Sequence, residues 1–319
     1  MWNFDSVRVG SSSTPSSVHA PLLACGAGEG SAGGAATGTD AALRAMLANS
    51  LQLPTIPHVA AALIRVTDQP RASASDVRDV ISTDQALVTK LLRVVNSPMY
   101  GMRKRVTTLT HAVAMLGFEA VKNLALAASF SEVLGQSAEG YGLDPGRLWM
   151  HSIAAGCAAR LAAERTGYAQ PEEAFVAGVI HDVGKLAASV HIQSMYSEIL
   201  AKAACGKRAF NAVEREVMGF DHAQAGEAVA LSWNLPEPLS QSIRWHHEPG
   251  RAEHAVLAAL VHLGDALAVA LGYGLGIDGV SYTFHQSCLI TLGMSGADPM
   301  RIAAIMPDAV ERLAHITQG

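Results

Sequence analysis

The chain has 319 residues, half of them hydrophobic and only 5% aromatic, which favours an all-α fold because β-sheets use more aromatic and β-branched residues. The net charge of −5 gives no general attraction to polyanions, and the four scattered cysteines fit free thiols in a reducing cytoplasm better than a disulfide framework. No uninterrupted apolar segment reaches the roughly 20 residues of a membrane-spanning helix, so no membrane association is expected.

The first part of the chain predicts a leader followed by a helical subdomain. Residues 1–39 are rich in Ser, Gly, Ala and Pro, lack hydrophobic periodicity and are predicted to be disordered. Residues 40–140 are predicted to form an N-terminal helical subdomain. Its helices are predicted over 41–49, from His58 to Asp68, after the caps Ser75 and Asp84, from Thr108 or Thr110 to Gly117, and from Phe118 to Leu134.

The rest of the chain predicts a second helical subdomain over residues 141–275 and a C-terminal helical extension over 276–319. Asp144 is expected to cap the first of these helices, and two short helices are expected in the extension. Helices of the second subdomain are predicted from Pro145 to Arg165, Pro171 to His181, Gln193 to Ala204, Arg208 to Met218, His222 to Asn234, Pro236 to His247, and Ala252 to Leu271.

Two segments raise the question of an anionic ligand. The basic run from Met102 to Arg105 is typical of a solvated loop, with a phosphate contact as the more specific interpretation. The stretch from Thr110 to Leu126 has the outline of a helix-turn-helix but carries no basic recognition face. The pattern therefore disfavours a nucleic acid partner.

The strongest chemical signal is the adjacent pair His181 and Asp182, at the end of an apolar run and before Gly184 and Lys185. An imidazole nitrogen and a carboxylate oxygen are ligands that suit divalent transition metals. Further candidate ligands lie on separate predicted helices or helix ends: His151, His222, His246, His247 and Asp265. A buried cluster of so many polar groups would be costly without a cation, so the sequence predicts one or two ions of Fe, Mn, Zn or Ni.

Each of these residues also has a structural interpretation. His151 could be a satisfied core histidine, and Asp265 could cap a helix or form a salt bridge. His246 and His247 point in different directions on a helix, so both reach one centre only if the helix ends there. The remaining candidates are assigned to the surface or core without function: His191, His254, His262 and His285.

At these residues the chain resembles the HD superfamily of metal-dependent phosphohydrolases. The resemblance implies that His151, His181, Asp182 and Asp265 are the core metal ligands, and that the other histidines enlarge the ligand set. Lys185 matches the lysine of the HDxGK variant of the motif. The HD-GYP phosphodiesterases fit less well, because no Gly-Tyr-Pro loop follows the double histidine.

The resemblance is closer to one branch, the HDOD signalling domains. It rests on the phrases Leu53–Pro57, Asp84–Leu87, Leu91–Ser97, Ala112–Gly117, Ala177–Lys185, Gly219–His222 and Leu231–Pro236. It implies an all-α helical bundle of HD type, with the HDOD N-terminal subdomain over 40–140 and the HD-like subdomain carrying the metal cluster over 141–275. It also implies that Asn96 packs the two halves together, and that the domain serves in bacterial signal transduction.

Two functions follow from this reading. The first is a cytoplasmic regulatory domain that binds metal and acts through a signalling protein partner or a small nucleotide ligand. The second is a phosphohydrolase of nucleotides or phosphodiesters, in which Asp182 helps hold the metal that activates a water and Lys185 offsets phosphoryl charge. A catalytic site needs an open coordination position, and filled metal shells would favour the regulatory role.

Overall fold

The structure is a computed structural model that describes residues 54–67, 69, 72–206, 208–274 and 276–314, together with Leu43. The predicted leader over 1–39 and the predicted helix over 41–49 therefore lie outside the described residues, apart from Leu43 in a helical position. Among the described residues no β-strand is present, which confirms the all-α prediction. The helices of the first half are α1 (His58–Thr67), α2 (Ala74–Ser82), α3 (Gln85–Val95), α4 (Leu109–Leu116), α5 (Phe118–Ser129) and α6 (Ser131–Leu134).

The second half continues the bundle with longer helices. Short 3-10 turns separate some of them, among them Glu139–Tyr141, Pro249–Arg251 and Ile277–Ser281. The helices are α7 (Arg147–Thr166), α8 (Pro171–Ile180), α9 (Gly184–Gly206), α10 (Phe210–Met218), α11 (His222–Ser232), α12 (Glu237–Trp245), α13 (Ala255–Ala270), α14 (Ser287–Thr291) and α15 (Asp298–Ala314).

Several helix ends differ from the prediction. Ser73, and not Ser75, caps α2: its hydroxyl accepts from the Asp76 amide while the Asp76 carboxylate accepts from the Ser73 amide. The expected continuous helix from Phe118 to Leu134 breaks at Phe130. Gly146, in a left-handed conformation with φ 80°, takes the capping position expected for Asp144.

Two helices are longer than expected. Helix α9 begins at Gly184, directly after the His181–Asp182 turn, and not at Gln193. Helix α15 has 17 residues, where only a short helix was predicted. Helix α9 starts at a glycine that packs closely against α11, and a glycine is not a local signal for a helix start. Helix α15 continues past Pro307, a residue type that usually ends or kinks a helix.

The core of the second half depends on close helix crossings at glycines. A Cβ atom on Gly178 of α8 would lie 2.7 Å from the Cα atom of Gly156 on α7, and one on Gly264 of α13 would lie 2.4 Å from the carbonyl oxygen of Ala155. A Cβ atom on Gly184 would lie 1.9 Å from the carbonyl oxygen of His222. These contacts hold α7 closely against α8 and α13, and α9 closely against α11.

The first half is attached to the second by the packing of α5 on α8 and by several specific side-chain contacts. The Trp233 indole donates to the carbonyl oxygen of Pro54 at 3.0 Å, and its ring stacks on Phe130 with centroids 5.2 Å apart. The Arg160 guanidinium lies 4.5 Å from the centre of the Tyr100 ring. One hydrophobic core runs through both halves, and the subdomain boundaries stay a prediction.

Asn96 closes a loop within the first half. Its amide group donates to the carbonyl oxygens of Leu92 and Val106, both at 2.7 Å, and its oxygen accepts from the Val106 amide at 2.7 Å. All three partners are backbone groups of residues 92–106. Asn96 therefore fixes the segment that follows α3, and these bonds do not join the two halves.

One apolar stretch, Pro171–Met195, is long and apolar enough to cross a membrane by length and composition alone. However, 89% of its most apolar window is buried inside the protein, and the chain turns at His181–Val183 between α8 and α9. Core helices of soluble proteins have the same character, so this stretch is weak support for a membrane span.

Candidate metal centre

The helical packing gathers all the predicted ligands at one place. His151 lies in α7, His181 and Asp182 in the turn after α8, and Asp265 in α13. His222 is the first residue of α11, positioned by the capping box of Asp221 and Gln224, and the double histidine follows the end of α12 at Trp245. The condition for both His246 and His247 to reach one centre, a helix that ends there, is met.

The first group of ligands surrounds one oxygen of Asp182. The Oδ2 atom lies 3.4 Å from Nε2 of His151 and 3.4 Å from Nε2 of His181. The Oδ1 atom of Asp265 lies 3.1 Å from Nε2 of His151 and 3.7 Å from Nε2 of His181. Two imidazoles and two carboxylates therefore face a common point.

The second group surrounds the other oxygen of Asp182. The Oδ1 atom lies 3.6 Å from Nε2 of His222 and 3.8 Å from Nε2 of His246. The Nε2 atom of His247 lies 2.8 Å from Nε2 of His222. Asp182 therefore presents one carboxylate oxygen to each of the two groups.

The outer ring nitrogens are held by the protein. The Nδ1 atoms of His151, His181 and His246 lie 3.1, 2.7 and 2.7 Å from the carbonyl oxygens of Tyr273, Gly178 and Ile243, so each Nδ1 carries the proton and donates it. His222 Nδ1 lies 2.6 Å from the carboxylate of the fully buried Glu214, which also accepts from the Tyr141 hydroxyl. This arrangement aims the Nε2 lone pairs inward, as in metal sites where an outer partner orients each imidazole.

Several inner atoms have no protein partner. The buried Nε2 atoms of His151, His181 and His246 make no hydrogen bond. Buried polar atoms are almost always satisfied in native proteins, and each exception needs an explanation. Groups of three ligand atoms in this cluster lie within 4.8 Å of one another, which fits the reach of a metal ion. The donor set of neutral imidazoles and carboxylates suits the transition metals expected from the sequence.

The charges of the centre also favour a cation. Burial alone would lower the pKa of His181, but the charges of Asp182 and Asp265 outweigh it and raise that pKa to about 10. Burial would likewise lower the pKa of His222, but the charge of Glu214 outweighs it and raises that pKa to about 9. Burial lowers the pKa of His246 to about 3, with the charge of His181 adding to the effect. Without a cation, the carboxylates hold a second proton on His181 and on His222; a metal ion at the same nitrogens would displace these protons and leave neutral imidazole ligands.

Lys185 contributes a buried positive charge beside the ligands. Its Nζ atom lies 2.5 Å from Oδ2 of Asp182 and 2.5 Å from Oδ2 of Asp278. Burial would lower the pKa of this ammonium, but the two carboxylates raise it, so Lys185 is charged. It contacts Asp182 at Oδ2, the oxygen that also faces His151 and His181, and leaves Oδ1 to His222 and His246.

A cleft of about 260 Å³ reaches the centre from the surface. It is lined by ligands of both groups, His222, His247 and Asp265, and by Lys185. Its outer wall carries Arg215, Glu248, Asp278, Tyr282 and His285. His247 is half-buried, whereas the other candidate ligands are buried. A small molecule in the cleft would therefore contact the centre at His247.

Sequence reasoning missed some residues around the centre. Glu214, Asp278 and Tyr282 carried no signal, since a lone acidic or aromatic residue on a helix or loop is common. His262, which was assigned no function, is fully buried: its Nδ1 donates to the carbonyl oxygen of His246 at 2.7 Å and its Nε2 accepts from the His285 amide at 2.9 Å. An apolar run around a histidine was the available hint, because an imidazole there must find partners.

The chain is similar to known proteins in sequence and in fold. An uncharacterized protein of Treponema pallidum (strain Nichols) is 31% identical over 200 residues, which is 61% of this chain and 37% of that protein. The chain thus spans about a third of the length of this curated relative. An HDOD domain protein of unknown function from Geobacter sulfurreducens has a similar structure, with a TM-score of 0.67 at 23% identity, covering 87% of this chain and 97% of that one.

Two further solved structures are similar. A candidate phosphohydrolase from Shewanella amazonensis SB2B gives a TM-score of 0.65 at 24% identity, covering 86% of this chain and 98% of that one. A candidate signal transduction protein from Marinobacter aquaeolei VT8 gives 0.65 at 23% identity, covering 89% and 65%. At these identities the likeness concerns the fold alone. The HDOD domain model itself matches residues 53–249, more than half of the chain, and the chain therefore belongs to the HDOD domain family.

Proposed function

We propose that this chain is a regulatory HDOD domain of bacterial signal transduction that holds one or two divalent metal ions in the histidine and aspartate centre. The observation that carries the proposal is the set of buried, unpartnered nitrogens of His151, His181 and His246 around Asp182. The outer Nδ1 atoms of these three histidines already donate to backbone carbonyl oxygens. Their inner Nε2 atoms have no hydrogen-bond partner in the fold and are available to a metal ion. Fe, Mn, Zn and Ni all suit this donor set.

In this role the centre fastens helices together. The ligands come from α7, the turn after α8, α11, the end of α12, and α13, so one cation would join elements distant in sequence. A ligand in the cleft would contact His247 and Lys185 and thereby alter the same junction. The proposal includes a cytoplasmic location, a signalling protein partner or a small nucleotide ligand, and no membrane or nucleic acid partner.

The alternative is a phosphohydrolase, and the cleft is the observation that favours it. An open path to His222, His247 and Asp265 gives a phosphate ester access to the centre. A metal ion there would supply a water of lowered pKa as nucleophile. Asp182 would hold the cation, and Lys185, which has donors beyond those used for Asp182 and Asp278, would offset charge on a phosphoryl oxygen.

One experiment separates the two functions. The protein is purified without oxygen, its metal content is measured, and turnover of bis(p-nitrophenyl) phosphate is assayed with Mn²⁺ or Fe²⁺. Asp182→Asn keeps the shape of the side chain but removes the bridging charge, and we expect bound metal to fall at least about tenfold. Bound metal without turnover supports the regulatory role, and turnover that Asp182→Asn abolishes supports the enzyme. Wild-type protein free of metal would contradict both.

A further inference from the structure

A second open groove lies on the first half of the molecule. It has a volume of about 770 Å³ and is formed by one face of α3 and the loop that follows it. Arg93 and Arg105 both line this groove, with Thr89 and Thr107 beside them. None of its lining residues contributes to the metal centre, so the groove is a separate surface.

The loop beside the groove carries exposed cations in sequence. Arg103, Lys104 and Arg105 are all exposed, as is Arg93 on α3. In the described part of the chain no acidic side chain pairs with any of the three loop cations. The protein as a whole has a net charge of −5, so this patch is a local departure from its average charge. Cations without internal partners on an acidic protein point to an anionic partner from outside.

The cationic loop is held in a fixed shape before any partner arrives. Asn96 binds both the Val106 amide and the Val106 carbonyl at 2.7 Å, and Val106 itself is buried. The backbone next to Arg105 is therefore anchored to the end of α3. A fixed loop loses less conformational entropy on binding than a free one, which favours affinity.

Apolar side chains also line the groove. Leu92 and Met102 are half-buried there and form what we call its floor, and the exposed Arg93 and Arg105 line it as well. An amphipathic acidic helix matches this pattern, with apolar side chains on the floor and carboxylates toward the guanidinium groups, which bind carboxylates through paired hydrogen bonds. We propose that this groove docks an acidic, amphipathic helix of a partner protein.

Nucleic acid fits the groove less well. Single strands bind by stacking bases on aromatic side chains, and no aromatic residue lines this groove. The inference deepens the proposed function, since it gives the chemistry of the protein partner. It does not depend on bound metal, and binding is therefore to be measured both in chelator and with metal added.

The probe is a fluorescein-labelled helical peptide of Glu and Leu with leucines at i, i+3, i+4 and i+7, followed by fluorescence anisotropy. Arg103→Glu with Arg105→Glu is expected to weaken binding about tenfold, and high salt to weaken wild-type binding. The matched control reverses Arg65 and Arg147 to Glu, which are also exposed arginines without an ion pair in the described part of the chain. It should change affinity by less than about twofold.

A second variant tests the apolar floor. Met102→Ser should weaken peptide binding about threefold while leaving binding of poly-L-glutamate, which has no apolar face, unchanged. The proposal is overturned if the control pair loses as much affinity as the loop pair, if Met102→Ser has no effect on the peptide, or if a random single-stranded oligonucleotide binds while the peptide does not. If the peptide still binds in chelator, the docking proposal holds whether or not the protein binds metal.

Discussion

Two polar centres, one in each half of the molecule, solve the same physical problem in opposite ways. At Asn96 every bond is made inside the chain: the side chain amide and its oxygen are used by Leu92 and Val106. At Asp182 the surrounding His151, His181 and His246 leave their inner nitrogens without a protein partner. The hydrogen bonds of the first centre are all made within the chain, and the second would be completed by the metal ion that we propose.

This difference distinguishes polar groups that stabilise the fold from polar groups that are arranged to bind a ligand. A satisfied buried group stabilises the fold whatever the solution contains, whereas a set of convergent lone pairs makes the fold sensitive to what is dissolved. Mutations at the two centres should therefore respond differently to a chelator. That distinction can be measured without knowing the natural partner.

The largest effect is expected at the helix crossing that sets the geometry of the centre. Gly184→Ala would place a Cβ atom 1.9 Å from the carbonyl oxygen of His222 and 2.3 Å from the amide nitrogen of Gly226. Helices α9 and α11 must separate, which we expect to cost about 3 kcal/mol or more in urea unfolding and to reduce metal content. Gly296→Ala is the control, since nothing lies within 4 Å of its Cβ position. Equal stability of the two variants would contradict the close crossing.

A smaller loss is expected at the self-contained centre. Asn96→Ala removes the bonds to Leu92 and Val106 and leaves buried backbone groups unpaired, at a cost of about 2 kcal/mol. The loss should be the same with and without EDTA, whereas Asp182→Asn should erase the effect of EDTA. Thr107→Ala, an exposed position on the same loop, is the control for local substitution. A chelator-dependent loss for Asn96→Ala would break the contrast.

The outer support of His222 should have an intermediate effect. Glu214→Gln keeps a hydrogen-bond acceptor for the ring but removes the charge 2.6 Å from Nδ1, and metal affinity should fall about tenfold. Tyr141→Phe removes only the other bond to Glu214, and its effect on affinity should be smaller. The metal affinities of both variants are measured by calorimetric titration of metal into protein from which metal and chelator have been removed. An unchanged affinity in Glu214→Gln would remove that residue from the centre.

The smallest effect is expected at Asp298, far from the ligands. Hydrogen bonds from Ser295, together with the charge of Arg165, lower the pKa of Asp298 from 3.8 to about 2. A lowered folded pKa gives stability that is present above about pH 4 and lost as the pH falls toward 2. Asp298→Asn should therefore destabilise the protein at pH 6 and less so at pH 3, in urea unfolding at both values. A loss that grows toward acid would give the wrong sign.

The sequence predicted which side chains cluster better than it predicted the helix ends; that these side chains bind metal stays a prediction. His181 and Asp182 could be found because their residue types have a distinctive chemistry, and the other ligands followed from a family pattern. The start of α9 at Gly184 could not be found in this way, because the glycine is there for its close contact with α11 and not as a helix signal. Such a contact joins residues distant in sequence and leaves no local pattern.

The supporting residues of the centre were missed for a related reason. Glu214 occupies one position of an amphipathic helix, and only the fold reveals that this position faces His222. Asp278 lies in a short 3-10 turn whose placement over Lys185 depends on how the chain returns after α13. Single polar residues acquire a role from their neighbours in space, and a single sequence does not record those neighbours.

The imidazole of His262 has a mechanical consequence. One of its nitrogens is attached to the backbone of a ligand residue, His246, and the other to the backbone of His285 at the rim of the cleft. Its ring also stacks on Phe284, with centroids 5.3 Å apart. The rim of the cleft at His285 and the candidate metal centre at His246 are thus joined through the imidazole of His262. A molecule that displaced the rim would pull on the ligand shell without touching it.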